Sequence, residues 1–228
     1  MSPDRQTPRA SRRDSPPRVG PPPDQDPADA DQIAEAYLRR AITELADLNE
    51  HITASAPCRA DELPVLASGS PQAQIMLIKW APNLAERQEG VAFFGRAGSA
   101  ILKSVQRLGI DPLQLYGTLC VKCADTATDA DEPAPEIFLE WLSHEIQIVQ
   151  PALIVPMGER VIGAINRMGH PSSAPLETAP GRVQQWTPSI DALYVPDIDA
   201  SLDEQGAKRA FWSAFRAVGT WHNDQPPY

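Results

Sequence analysis

Residues 74–98 read QIMLIKWAPNLAERQEGVAFFGRAG, and this stretch decides the fold. Its first part, Ile75 to Ile78, is a short and continuous apolar run, which is typical of a strand buried on both faces of a parallel sheet. Pro82 ends that strand. Two glycines, Gly95 and Gly98, then lead into apolar residues spaced three and four apart, so we predict a crossover helix that ends at Gly109.

The same alternation of strand and helix continues along the chain. Further strands are predicted at 115–121, 152–155 and 192–195, with an edge strand near Val183, and helices at 137–149, 159–168 and 207–218. Because connections between parallel strands are right-handed crossovers, this order predicts a three-layer α/β/α domain with a mainly parallel four-stranded sheet. Ligands of such sheets bind beyond the carboxyl ends of the strands.

The chain is predicted to divide into a tail and one domain. Residues 1–30 are rich in Pro and Arg and contain almost no large apolar side chains, so we expect a disordered tail. From Asp31, a plausible N-cap, apolar residues recur at helical spacing, and residues 31–228 are expected to form a single α/β domain.

Composition limits the class of protein. No apolar run approaches the roughly 20 residues that cross a bilayer, and no secretory signal is visible, so we expect a soluble, cytoplasmic protein without a membrane partner. A net charge of −10 argues against tight, sequence-independent DNA binding, although a local basic patch remains compatible with it. Three cysteines in that compartment indicate buried thiols or remnants of a metal site rather than a disulfide framework.

Two motifs carry candidate chemistry. The run Phe93-Phe94-Gly95-Arg96-Ala97-Gly98 could present a ring to a planar ligand, with the entry to a helix through two core aromatics as the alternative. The run Cys120-Val121-Lys122-Cys123 has the C-x-x-C spacing of metal and redox sites, but it ends a strand, and Cys58 is the only other thiol.

Taken in order, five blocks of the sequence resemble those of the iron-sulfur (family 4) uracil-DNA glycosylases. The blocks lie at 69–78, 81–82, 93–98, 121–123 and 151–158, and the resemblance covers about residues 45–218. It implies a parallel four-stranded sheet with helices on both sides, and a link to DNA base-excision repair. Phe93 matches the ring that stacks on the flipped base, and Gly95 and Arg96 belong to the same retained base-binding loop.

The resemblance also identifies losses at the site. Trp80 stands where the family has an acidic group, Leu119 where an asparagine pairs with uracil, and Val195 where a histidine stabilises the departing base. The neighbouring Ala81, Pro82 and Asn83 keep the base-binding loop, with Asn83 in place of a glycine. The letters His170-Pro171-Ser172 match the family's histidine motif but precede the last strand, so we interpret them as coincidence.

The iron-sulfur cluster is expected to be lost as well. Cys58 and Cys123 match two of its four ligands as remnant positions expected to be empty, while Ser55 and Phe138 or Leu139 stand at the other two. The catalytic residues therefore stay unknown, and no cofactor is expected.

Two functions follow from this pattern. The chain is either a divergent glycosylase with weak, altered or no uracil excision, or a non-catalytic module that uses the same cleft for nucleic acid, a nucleotide or a protein partner. A basic rim near Lys79, Arg96 and Lys122 would favour DNA or a nucleobase as the ligand.

Overall fold

The structure, a computed structural model, describes residues 27–59, 61–123 and 133–225. A mixed sheet of six strands runs through it in the order β1-β3-β2-β4-β6-β5. The four central strands, β3 (Leu115–Leu119), β2 (Ile75–Lys79), β4 (Leu153–Pro156) and β6 (Asp191–Leu193), are parallel. Both edges are antiparallel: β1 (Ser68–Gly69) pairs with β3, and β5 (Val183–Gln185) pairs with β6.

Seven helices are found in the described part of the chain. They are α1 (Pro27–Ser55), α2 (Leu84–Glu89), α3 (Arg96–Leu108), α4 (Glu136–Val149), α5 (Glu159–Met168), α6 (Ile198–Ser201) and α7 (Gln205–Asn223), with a 3₁₀ turn at Pro112–Gln114. Helix α3 ends at Gly109, whose φ of 73° supplies the left-handed cap that the sequence predicts.

The helices cover both faces of the sheet, which confirms the predicted three-layer α/β/α architecture. Successive residues of β2 alternate between two cores: Met76 and Ile78 pack in the core beneath α1, α4 and α5, whereas Ile75 and Leu77 pack beneath α3 and α7. This alternation explains why the strand is a continuous apolar run, since both of its faces are buried.

Three sequence predictions need correction. The sheet has six strands rather than four, because β1, a missed two-residue pairing, and β5, foreseen near Val183, extend it antiparallel at the edges. Helix α1 begins at Pro27, so Asp31 lies inside it and is not its N-cap; proline is tolerated in a first helical turn. The rest of the predicted tail, residues 1–26, lies outside the described residues. Helices α2 and α6 were not predicted because each is too short to show the three- and four-residue spacing of apolar residues that is typical of a helix.

The cysteines also differ from expectation. Cys58 and Cys123 form a disulfide across a sequence separation of 65 residues, with their Cα atoms 5.3 Å apart. The sequence could not show that the segment after α1 returns to the end of β3, so the expectation that the cysteines form no disulfide is wrong. The match of Cys58 and Cys123 to two cluster positions stays a prediction. Cys120 is free and buried. None of the described helices is both long enough and apolar enough to span a membrane.

Candidate functional site

The candidate site lies at the carboxyl edge of the parallel strands. The segments that follow β2, β3, β4 and β6 meet there, and Met157 and Val195 form an isolated parallel bridge. The backbone N–H of Gly158 donates to the Val195 carbonyl at 2.9 Å, which closes the gap between the ends of β4 and β6. This is where an open α/β sheet ordinarily binds its ligand.

A buried lysine lies at the centre of this edge. Lys79 is 1% exposed, and its Nζ contacts Glu86 Oε2 at 2.8 Å and also pairs with the Asp199 carboxylate. Glu86 is fully buried, whereas the side chain of Asp199 remains 32% exposed. One ammonium therefore holds two carboxylates, and only the Asp199 carboxylate reaches solvent.

Helix α2 is locked to this cluster by its first turn. The Asn83 side chain accepts from the Glu86 backbone N–H at 3.1 Å, and Glu86 Oε2 accepts from the Asn83 backbone N–H at 2.8 Å, a reciprocal capping box. Asn83 Nδ2 also donates to Asp199 Oδ1 at 3.0 Å. Asn83 thus has an extended φ of −82° and caps a helix, rather than adopting the left-handed conformation expected in place of a glycine.

Phe93 is held in a backbone conformation that is rare for a bulky residue. Its φ is 59°, and its N–H donates to Glu86 Oε1 at 2.7 Å. One edge of its ring packs on β3, where a Cβ added to Gly117 would lie 2.5 Å from Phe93 Cδ2. The Lys79 ammonium lies 5.9 Å from the ring centroid. A strained, over-determined aromatic residue at such an edge is typical of a functional position.

The glycines of the loop permit this arrangement. Gly95 has a φ of 78° and precedes α3, and a Cβ on Gly98 would lie 1.7 Å from the Phe93 carbonyl oxygen. Ala81 and Pro82, which the sequence places in the same base-binding loop, are half-buried between β2 and α2. The structure therefore brings the retained loop residues together at one edge.

Arg96 points away from the buried lysine. Its guanidinium pairs with Asp203 at 2.6 Å, with both side chains more than two-thirds exposed, and contacts the Leu202 carbonyl at 3.3 Å. Lys79 and Lys122 are buried and paired, so they do not form the basic rim considered from the sequence.

Of the three positions that the resemblance marks as losses, two are fully buried and the third, Trp80, is half-buried. Leu119 and Val195 are both fully buried, and Leu119 packs with Val65, Ala92 and the edge of Phe93. Trp80 faces the opposite side of the sheet from Lys79 and stacks against the Arg160 guanidinium at 3.9 Å. Its buried Nε1 has no hydrogen-bond partner among the described residues. Leu119 and Val195 offer no polar side-chain group to a base.

A third carboxyl group flanks the cluster. Asp197 Oδ1 accepts from the Asp199 backbone N–H at 2.8 Å and so starts α6. Burial, together with the nearby Asp199 charge, raises the pKa of Asp197 above its ordinary value of 3.8 despite the opposing effect of its backbone hydrogen bonds and of Lys79.

A second buried polar network lies beside the end of β3. Lys122 Nζ donates to Glu145 Oε1 at 2.8 Å and to Thr118 Oγ1 at 2.6 Å, and all three residues are at most 1% exposed. The Thr118 hydroxyl in turn donates to Glu145 Oε2 at 2.5 Å. Every charge in this network is paired, which satisfies the condition for burying it.

The thiols do not fit a four-thiolate iron-sulfur cluster. The chain contains three cysteines, and two of them, Cys58 and Cys123, are bonded to each other. The third, Cys120, lies in the sheet core, where burial raises its thiol pKa to about 12 and disfavours the thiolate that binds iron. Phe138 and Leu139 are buried, and Ser55 donates its hydroxyl to the His51 carbonyl.

His170 is not part of this edge. It follows α5, which begins at the candidate site and runs away from it, and its ring packs at 4.7 Å from that of Trp186.

Sequence reasoning missed the polar residues that organise the site. Glu86 had a recognisable signal, since Asn83-x-x-Glu86 is a capping-box spacing. Asp197 and Asp199 had none, because they meet Lys79 only through contacts about 120 residues apart in the chain.

Comparison with known proteins identifies the family of this chain. The family model described as the uracil DNA glycosylase superfamily matches residues 66–214. The chain belongs to that superfamily. It is also 29% identical over 159 residues to a type-4 uracil-DNA glycosylase of Sulfurisphaera tokodaii, an alignment that covers 63% of this chain and 72% of the relative. Cys58 lies outside the matched span.

Proposed function

We propose that this chain is a DNA-binding member of the uracil-DNA glycosylase superfamily that accepts a flipped base beside Phe93 and excises uracil slowly. The main observation behind the proposal concerns the two positions at which the resembled family has polar side chains that contact the base. Leu119 and Val195 are fully buried and apolar. A pocket built on hydrogen bonds loses most of its discrimination when its polar partners are replaced in this way.

Residual chemistry has one candidate group, the Asp199 carboxylate. It is held by Lys79 and Asn83, reaches solvent, and lies in the network that surrounds Phe93. As a general base it would accept a proton from water while the water oxygen bonds to the sugar C1′. The C1′–N1 bond breaks as the new bond forms, and its electron pair leaves with the uracil ring.

We expect slow turnover because the site lacks a hydrogen-bond donor to the departing base beside that carboxylate. Charge that develops on the departing base needs a donor, and Val195 stands where the family resemblance places a histidine. The loss of one such donor ordinarily costs about 10²–10³ in rate. We further propose that no iron-sulfur cluster is bound, since the donor set lacks four thiolates.

The alternative is a non-catalytic module that binds nucleic acid, a nucleotide or a protein. The pairing of Lys79 with both carboxylates favours it, since this network is satisfied without any ligand.

Single-turnover cleavage of a uracil-containing single strand and of a U:G duplex tests these proposals, with the Sulfurisphaera tokodaii relative as positive control. We expect cleavage at least about 10²-fold slower than by the relative, abolished in Phe93→Ala and Asp199→Asn and retained in Phe94→Ala. Phe94 is the exposed neighbour of Phe93 and serves as the matched control.

Each other outcome has a definite meaning. Rates equal to those of the relative would overturn the reading of Leu119 and Val195 as losses. Slow cleavage unchanged by Asp199→Asn would remove Asp199 as the base. No cleavage at high enzyme excess, with retained DNA binding, would establish the non-catalytic alternative.

A further inference from the structure

A large groove in the described part of the chain lies next to the candidate site rather than within it. It has a volume of about 990 Å³ and runs between α3 on one side and α6 and α7 on the other. Gly95 and Arg96, just after Phe93, line one end, and Ile198 and Ser201 of α6 line the same region. The groove therefore opens beside Asp199 and Phe93 and leads away from them.

The groove is basic although the protein is acidic. Five of the chain's 20 Lys and Arg residues line it, against two carboxylates. The cations are Arg96, Lys103, Arg107, Lys208 and Arg209. The carboxylates are Asp203 and Glu204, so the lining carries a net of three positive charges in a chain whose net charge is −10.

Four of these five cations form no ion pair with any of the described residues. Arg96 pairs with Asp203, but neither Lys103 nor Lys208 forms an ion pair with another residue of the described ranges, and both are exposed. Cations grouped in a groove and left unpaired raise the local concentration of an anionic ligand.

An aromatic ring lies among the cations. Trp212, half-buried on α7, lines the groove, and the Arg107 guanidinium lies 5.8 Å from its ring centroid. Basic side chains that follow a backbone, combined with an aromatic surface for unpaired bases, are the features of single-strand binding. In a duplex the base faces are already stacked, so this combination favours a single strand.

The dimensions agree with that ligand. Helix α3 has 13 residues and is therefore roughly 20 Å long, which is long enough to lie along several nucleotides of a single strand.

We propose that the α3–α7 groove binds the phosphate backbone of single-stranded DNA that flanks a base held at Phe93. The inference rests on the proposed function, which brings DNA to Phe93, and it adds the path of the strand and the preference for single strands. Lys103 and Lys208 contact phosphates, and Trp212 stacks on a base.

The test measures binding of a uracil-free, fluorescently labelled dT15 oligonucleotide by anisotropy across a salt series. In Lys103→Gln/Lys208→Gln we expect about tenfold weaker binding at moderate salt. The slope of log K against log salt should fall by about 1.4, since each single-strand phosphate contact contributes about 0.7. The matched control Arg39→Gln/Arg40→Gln removes the same charge from exposed positions of α1, on the other face of the sheet, and should change neither quantity.

The possible outcomes distinguish the groove proposal from the proposed function on which it rests. Equal weakening in both double variants, or no dT15 binding by the wild type at low salt, overturns the groove assignment even if uracil is excised. An acidic peptide that binds the groove in preference to dT15 would also overturn it, in favour of a protein partner. Selective loss of dT15 binding in the groove variant supports the assignment even if the excision assay shows no cleavage.

Discussion

At the scale of single residues, the site depends on the close approach of the backbone at Gly98 to the Phe93 carbonyl. Its φ of 59° is sparsely populated for an aromatic residue. It is maintained by the hydrogen bond to Glu86 and by the missing Cβ of Gly98, which leaves room for the Phe93 carbonyl. The sequence of residues 94–98 therefore predicted a loop, but it did not predict the strained backbone at Phe93.

Gly98→Ala should therefore damage the protein. The new Cβ would lie 1.7 Å from a backbone oxygen, so the loop must shift, and we expect a loss of about 1–3 kcal/mol in the free energy of unfolding. Gly163→Ala is the matched control, because Gly163 lies in α5 with nothing near its Cβ position. It should be neutral or stabilising by about 0.5–1 kcal/mol. Urea unfolding of both variants measures this, and equal effects would contradict the packing argument.

At the scale of elements, the long periodic segments were predictable and the short ones were not. Strands β2, β3 and β4 and helices α3, α4 and α5 were found within a few residues of their predicted positions, because each buries an apolar face. Helix α2 has six residues and no apolar period, so its existence depends on the capping box and on the ion pair of Glu86 with Lys79. Tertiary contacts of this kind leave no local pattern.

The dependence of α2 on Glu86 can be measured. Glu86→Ala would leave Lys79, which is 1% exposed, with Asp199 alone and would remove the acceptor of the Phe93 N–H. We expect a loss of about 3–5 kcal/mol in the free energy of unfolding, the usual effect of breaking a buried pair. Glu89→Ala changes an exposed glutamate of the same helix and should stay within about 0.5 kcal/mol. A loss below 1 kcal/mol for Glu86→Ala would show that Lys79 is adequately paired by Asp199.

At the scale of the whole molecule, the layer architecture followed from the order of elements, whereas the long-range links did not. The disulfide joins Cys58, beyond α1, to Cys123, beyond β3, and so connects a segment outside the superfamily match to the central sheet. The sequence offered three thiols and no means of pairing them.

Counting accessible thiols tests this link. With iodoacetamide at pH 8 and no reductant, we expect no label on the folded protein, since Cys120 is buried and its pKa is raised to about 12. After unfolding in urea one cysteine should be labelled, and after unfolding with reduction all three. Mass spectrometry of tryptic peptides identifies the positions. Three labels without reductant would contradict the disulfide.

The burial of Leu119 has a consequence for how recognition of a base could be engineered at this position. A single substitution, Leu119→Asn, would place an amide in the apolar cluster formed with Val65, Ala92 and Phe93. An unpaired buried amide costs stability before any base can bind to repay it. Under the proposed function, a polar contact to a base at this position would therefore need more than one substitution: the surrounding apolar wall must be opened first, and the order of substitutions matters as much as their identity.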